Sequence, residues 1–101
     1  MTDSEPDVAS ELERLRRNID DVDTVLVKLL NQRARWALEV GDVKSGAGVP
    51  IYQPAREAKV LAQVQAKNKG PLGERAVRRL FERIIDESRR LERIAAKERE
   101  G

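Results

Sequence analysis

The sequence predicts an all-α fold of three helices, the first much longer than the others, on the strength of three observations. Aromatic residues make up only 3% of the chain and charged residues 38%. An apolar interior must therefore come from Leu, Ile, Val and Ala set as stripes on helices, not from a sheet sandwich. Apolar residues recur in steps of three and four from Leu12 to Val40, with no Gly or Pro between them. Two clusters of Gly and Pro then cut the remainder into two further segments.

Taken in order, Ser10 and Glu13 have the spacing of a capping box, in which hydroxyl and carboxylate each satisfy a free backbone N–H, so the first helix is expected to start near Ser10. Residues 1–9 are then a disordered tail, and 10–96 a single domain. The inner stripe of the first helix is Leu12, Leu15, Ile19, Val22, Leu26, Leu29, Arg33, Trp36 and Val40. If the helix continues to Lys44 or Ser45 it is ~50 Å long at ~1.5 Å per residue, against about 33 Å for a compact globule of this chain length. Such a helix protrudes from its own monomer. Its exposed stripe calls for a partner, and the simplest partner is a second copy of the chain. The stretch SGAGVPIYQ, residues 45–53, reads as a loop, and Pro54 opens a second helix that runs to about Lys67 with Val60, Leu61 and Val64 inward. Asn68, Gly70 and Pro71 stop it. A third helix starts near Gly73 and turns Val77, Leu80, Phe81, Ile84, Ile85, Ser88, Leu91 and Ala95 inward, with residues 97–101 as a frayed tail.

Several function classes are excluded by composition. The chain has no Cys and no His, which removes thiol nucleophiles, disulfides, Ser-His triads and the common zinc sites. Chemistry must rest on Arg, Lys, Asp, Glu or hydroxyls, and no metal or cofactor is expected. Twenty basic and eighteen acidic residues are interspersed, the pattern of a solvated helical surface and not of a nucleic-acid face. The opening MTDSEPDVAS lacks the basic start and apolar stretch of a signal peptide, and no apolar run approaches the ~20 residues that span a bilayer. The expected location is cytoplasmic, with no membrane partner.

The informative residues are polar ones set into an apolar stripe, because burying an unpaired charge costs several kcal/mol, to order of magnitude. Arg33 interrupts the stripe of the first helix. Lys44 follows three turns later on the same face, ~16 Å along the axis, so the two cations can bracket a small anion. Arg56 and Glu57 fall in the first turn of the second helix, where free N–H groups and the dipole also favour an anionic ligand. Ser88 and Glu92, four apart, place a hydroxyl and a carboxyl together on the third helix. Each has a bland alternative: Arg33 snorkelling or paired across the bundle, Lys44 an ordinary last-turn cation, Ser88 bonded to its own backbone. Together they put much donor capacity along one inner surface.

At this point the blocks LRRNIDDVD, LLNQRARWALEVGDVK, GVPIYQPARE, NKGPL and LFERIIDES, in that order between Leu12 and Glu92, resemble the AroQ-type, all-helical chorismate mutases. The resemblance implies a three-helix chain that dimerises through its long first helix into an intertwined homodimer. It also implies a cofactor-free rearrangement of chorismate to prephenate in aromatic amino-acid biosynthesis. It would place Arg33, Lys44, Arg56, Glu57, Ser88 and Glu92 around one site, with Arg16 reaching in from the partner chain. Geometry agrees, since Arg16 precedes Arg33 by seventeen residues, ~25 Å on a straight helix and about a quarter turn away. By the same resemblance Val40 and Ile85 touch the substrate ring, and Gln53 stands where the family often has an acid. Arg33, Lys44 and Glu92 would be the catalytic groups. Arginines would clamp the two carboxylates, Lys44 would donate to the ether oxygen as its charge grows, and Glu57 would accept from the ring hydroxyl. Two departures are notable. Glu92 replaces a common Gln and would have to be protonated to donate, and Arg89 replaces an apolar neighbour of the ring. Isochorismate pyruvate lyase and 4-amino-4-deoxychorismate mutase activities remain alternatives on the same scaffold, as does a non-catalytic helical dimer. Docking onto another shikimate-pathway enzyme is left open.

Overall fold

A computed structural model describes residues 7–101. The described residues fold into α1 (Val8–Ala47), α2 (Pro54–Lys67) and α3 (Glu74–Glu100), with no strand among them. The chain divides into two compact units, Met1–Gln32 and Arg33–Gly101, and α1 contributes to both.

In the first unit α1 begins at Val8, two residues before the expected start. Asp7 is the reason. Its carboxylate accepts from the Ala9 backbone N–H at 3.2 Å and from the Ser10 hydroxyl at 2.8 Å, and its carbonyl accepts from the Glu11 N–H at 3.0 Å. Asp7 thus caps the helix in place of the Ser10–Glu13 box, and Glu13 pairs instead with Arg17 at 3.8 Å. Of the tail expected over residues 1–9, Val8 and Ala9 are helical, and residues 1–6 lie outside the described part. Leu12, Leu15, Ile19, Val22, Leu26 and Leu29 are each 43–60% exposed.

In the second unit α1 continues to Ala47 and ends on Gly48, whose φ of 68° is the left-handed conformation that suits glycine. The Val49 N–H donates to the Lys44 carbonyl at 2.8 Å and the Gly48 N–H to the Ser45 carbonyl at 3.4 Å. This is the paired bonding of a Schellman stop. Pro54 opens α2 at its first position, where no backbone donor is needed. The link to α3 is held by Asn68, whose side chain donates to the Leu72 carbonyl at 2.7 Å and accepts from the Gly70 N–H at 3.1 Å.

The core of this unit is thin, as a small domain's must be. Leu61 of α2 and Val77 and Ile85 of α3 are each 8% exposed, and the remaining buried side chain is the acid Glu92. The inner face of α3 differs from expectation at Leu80, which is 54% exposed. The stripe through Val77, Phe81, Ile85, Ser88 and Glu92 leaves Leu80 about a quarter turn from its centre. Helix α3 also runs to Glu100, through the tail expected to fray. An ion pair between Arg99 and Asp42 of α1 ties down its last turn.

Candidate active site

Within the second unit α1, the 48–53 loop, α2 and α3 enclose a cleft of about 260 Å³. From α1 it receives Arg33, Trp36, Val40 and Lys44. Ile51 and Gln53 come from the loop, and Arg56, Glu57 and Val60 from α2. Ile85, Ser88, Arg89 and Glu92 complete it from α3. The volume suits a ligand somewhat smaller than the drug-sized molecules that fill pockets of ~300–1,000 Å³.

Two cross-links join α1 to α3 at the cleft. Arg33 Nη1 donates to the Ser88 hydroxyl at 2.7 Å. Lys44 Nζ donates to Glu92 Oε1 at 3.2 Å and to the Ile51 carbonyl at 2.9 Å. The cations are eleven residues apart, ~16 Å along α1, whereas Ser88 and Glu92 are one turn apart, ~6 Å along α3. The two long side chains must therefore lean toward each other, which brings both charges over the cleft. What lets α3 approach at this level is Gly41, the one buried residue of α1. A methyl group there would lie 3.1 Å from Glu92 Cγ.

A second polar group lies across the cleft. Arg89 Nε and Nη2 donate to the two carboxylate oxygens of Glu57 at 2.9 and 3.0 Å, and Nη2 also reaches Asp86 at 2.8 Å. The guanidinium carbon sits 5.1 Å from the centre of the Tyr52 ring, within cation–π range. The hydrogen bond to Glu57 raises the Arg89 pKa, with burial opposing and both carboxylates adding to the rise.

Arg33 and Arg56 are placed differently. Among the described residues no carboxylate lies within ion-pair distance of either. Burial, and then repulsion from Arg56, depress the Arg33 pKa. Two adjacent guanidiniums without acids amount to a site prepared for an anion. Over the whole cleft, four cations (Arg33, Lys44, Arg56 and Arg89) face two carboxylates (Glu57 and Glu92), an excess of two positive charges.

Of the ten site residues expected from sequence, nine line this cleft: Arg33, Val40, Lys44, Gln53, Arg56, Glu57, Ile85, Ser88 and Glu92. Gln53 turns its amide back to the Pro50 carbonyl at 2.8 Å. Arg16 belongs to the first unit, where it is exposed. Sequence reasoning did not assign Trp36, Ile51 or Val60 to the site. Trp36 and Val60 carry only the signal of apolar stripe positions, and Ile51 engages Lys44 through its backbone, which no side-chain pattern reveals. Gly41 could have been found as the small residue breaking the stripe between Val40 and Lys44.

Fold and cleft together define an all-helical pocket whose lining carries more cations than carboxylates. The chain belongs to the chorismate mutase type II family, whose model matches residues 15–93. It is similar to the bifunctional chorismate mutase/prephenate dehydratase of Neisseria gonorrhoeae, at 42% identity over 78 residues. That match covers 77% of this chain and 21% of that protein. The chain thus spans about a fifth of that bifunctional relative. Among solved structures it resembles the form II chorismate mutase of Thermus thermophilus, with a TM-score of 0.81, 35% identity and coverage of 82% of this chain and 94% of that one. It also resembles the Helicobacter pylori chorismate mutase in complex with prephenate, with a TM-score of 0.81, 31% identity and coverage of 88% and 97%. No described helix is long and apolar enough to cross a membrane.

Proposed function

We propose that the chain catalyses the rearrangement of chorismate to prephenate in the cytoplasm, as a homodimer whose two sites each take Arg16 from the other chain. The observation that carries the reading is the pair of acid-free arginines, Arg33 and Arg56, in a cleft with an excess of two positive charges. Chorismate is a dianion, and its two carboxylates supply the charge this cleft lacks. Membership of the chorismate mutase type II family supports the substrate. So does the prephenate bound by the Helicobacter pylori relative.

The reaction breaks one C–O bond as one C–C bond forms within a single molecule, so no proton need be transferred. Arg33, Arg56 and the partner's Arg16 fix the carboxylates and hold the enolpyruvyl arm folded over the ring, and orientation of this kind is worth several kcal/mol, about 7 or more in favourable cases. Val40 and Ile85 press on the ring. Negative charge grows on the ether oxygen as its bond stretches, and Lys44, already held by Glu92 and the Ile51 carbonyl, donates to it. Glu92 braces Lys44 from α3 by accepting from its Nζ at 3.2 Å. Glu57 accepts from the ring hydroxyl, and Ser88 orients Arg33.

The exposed stripe of Leu12 to Leu29 supports the dimer, since an apolar face of this length is rarely left in water. To test the function, purified protein is mixed with chorismate, the loss of its ultraviolet absorbance is followed, and the product is identified by acid conversion to phenylpyruvate. Prephenate should form in wild type and fall by about 100 to 1000-fold in Lys44→Ala. Turnover of isochorismate or 4-amino-4-deoxychorismate instead would reassign the substrate, and no turnover of any of the three would leave a non-catalytic dimer.

A further inference from the structure

The Arg89–Glu57 pair is a puzzle in a site for a dianion. Glu57 lines the cleft one residue from Arg56, and a free carboxylate there is a built-in competitor for the arginines the substrate needs. An internal carboxylate has an advantage over any ligand, because it is tethered and its effective concentration is high. Yet both Glu57 oxygens face α3, taken in parallel by Arg89 Nε and Nη2 at 2.9 and 3.0 Å. The fork is itself braced. Asp86 holds Nη2 from one turn below at 2.8 Å, and the guanidinium lies against the Tyr52 ring. Arg89 and Glu57 side chains are 21% and 22% exposed, so neither is a mobile surface group.

We propose that Arg89 is a positioning residue that holds Glu57 away from Arg33 and Arg56, leaving both guanidiniums free for the two carboxylates of the substrate. The proposal rests on the reading of the cleft as a chorismate site. A bidentate grip leaves the second lone pair of each Glu57 oxygen open. Glu57 can therefore still accept from a ring hydroxyl while it is kept off the clamp. The charge balance follows directly. With Arg89 the cleft carries an excess of two positive charges over its carboxylates. Without it the excess is one, and Glu57 is released toward the arginines. In Arg89→Leu combined with Glu57→Gln the excess is two again, with no carboxylate left to occupy the clamp.

These states separate a positioning role from a purely structural one. Loss of one favourable charge beside a partly exposed dianion weakens ground state and transition state alike. Arg89→Leu should therefore raise KM for chorismate about tenfold or more with a smaller change in kcat. Adding Glu57→Gln should return KM toward the wild-type value, although a second polar group has been removed. Arg89→Lys, which keeps a donor to one oxygen, should fall between. A residue needed only for packing would not be rescued by Glu57→Gln, so a double variant no better than Arg89→Leu would overturn the proposal. So would an unchanged KM in Arg89→Leu. A crystal structure of Arg89→Leu without ligand decides the matter independently of turnover. The Glu57 carboxylate should have turned onto Arg56 or Arg33, and Glu57 unmoved with both arginines still unpaired would refute the inference. Absence of turnover in wild type would count against the chorismate reading instead, and the position of Glu57 in that crystal structure would still decide the role of Arg89.

Discussion

Gly41 offers a perturbation whose two consequences oppose each other and can be measured apart. In Gly41→Ala the new Cβ would lie 3.1 Å from Glu92 Cγ, 3.4 Å from Oε1 and 3.5 Å from Cβ. The first distance is too short for a relaxed contact, and Glu92 is 7% exposed with little room to retreat. Alanine in a helix interior gains up to about 1 kcal/mol over glycine. Overpacking a close contact loses about 1–3 kcal/mol. The net is a loss of roughly 0–2 kcal/mol, or a melting temperature up to ~15 °C lower at ~4–8 °C per kcal/mol. The effect on rate is sharper. Glu92 accepts from Lys44 at 3.2 Å, and a shift of a few tenths of an ångström moves the Lys44 donor with it. We expect kcat to fall by at least about tenfold, bounded by the 100 to 1000-fold typical of a lost preorganised donor. Gly46→Ala is the control, because nothing lies within 4 Å of a Cβ there. It should hold or raise the melting temperature and leave turnover unchanged. The assays are thermal denaturation by circular dichroism and steady-state chorismate turnover. A Gly41→Ala protein as stable and as active as Gly46→Ala would refute this reasoning.

Other outcomes follow from the same geometry. Gln at position 92 keeps an oxygen for Lys44 and adds an N–H donor, so Glu92→Gln should keep or raise kcat for chorismate, whereas Glu92→Ala, which leaves Lys44 unbraced, should lower it by about tenfold or more; equal losses in the two variants would contradict the bracing role. A cation whose folded pKa is depressed destabilises the fold at every pH below that pKa, and the penalty lifts only as pH rises through it. For the guanidinium of Arg33, depressed by burial and by Arg56, that range lies well above neutrality. Arg33 should therefore add no slope to stability near neutral pH. A dianion should relieve the penalty, with prephenate raising wild-type stability by about 2.7 kcal/mol at a hundred times its Kd. Arg33→Met should lose most of that gain while keeping its unliganded melting temperature. Replacing Leu15 or Ile19 by Asp on the exposed stripe should give monomers by sedimentation and abolish turnover, whereas a wild type that sediments as a monomer at micromolar concentration would argue against a shared site.

Much of the fold was legible because its signals are local. The steps of three and four in α1, Pro54 at the head of α2 and the breaks around residues 48 and 70 depend on neighbouring residues alone, and the structure places helices accordingly. The ends were less so. Ser10 and Glu13 have the right spacing for a cap, but Asp7, three residues earlier, offers its carboxylate to the Ala9 N–H and the Ser10 hydroxyl and starts the helix ahead of them. The last turn of α3 meets α1 through Arg99 and Asp42, fifty-seven residues apart, which no local pattern encodes. In the cleft, Arg33, Lys44, Ser88 and Glu92 were visible as polar breaks in apolar faces. Their pairing, Arg33 with Ser88 and Lys44 with Glu92, was not, because it depends on the level at which α3 meets Gly41. Arg89 stood out only as a departure from the family's pattern. Its grip on Glu57 joins residues thirty-two apart on different helices.

The shared site and its chemistry are tested together by mixing two inactive proteins, Arg16→Ala and Lys44→Ala, under conditions where subunits exchange. Each heterodimer regains one site with both residues intact, so equimolar mixing should restore about a quarter of wild-type chorismate turnover. Recovery to that level would support a dimer in which Arg16 and Lys44 of different chains serve one substrate. Two variants that stay inactive despite demonstrated exchange, or an Arg16→Ala protein with full activity alone, would contradict it.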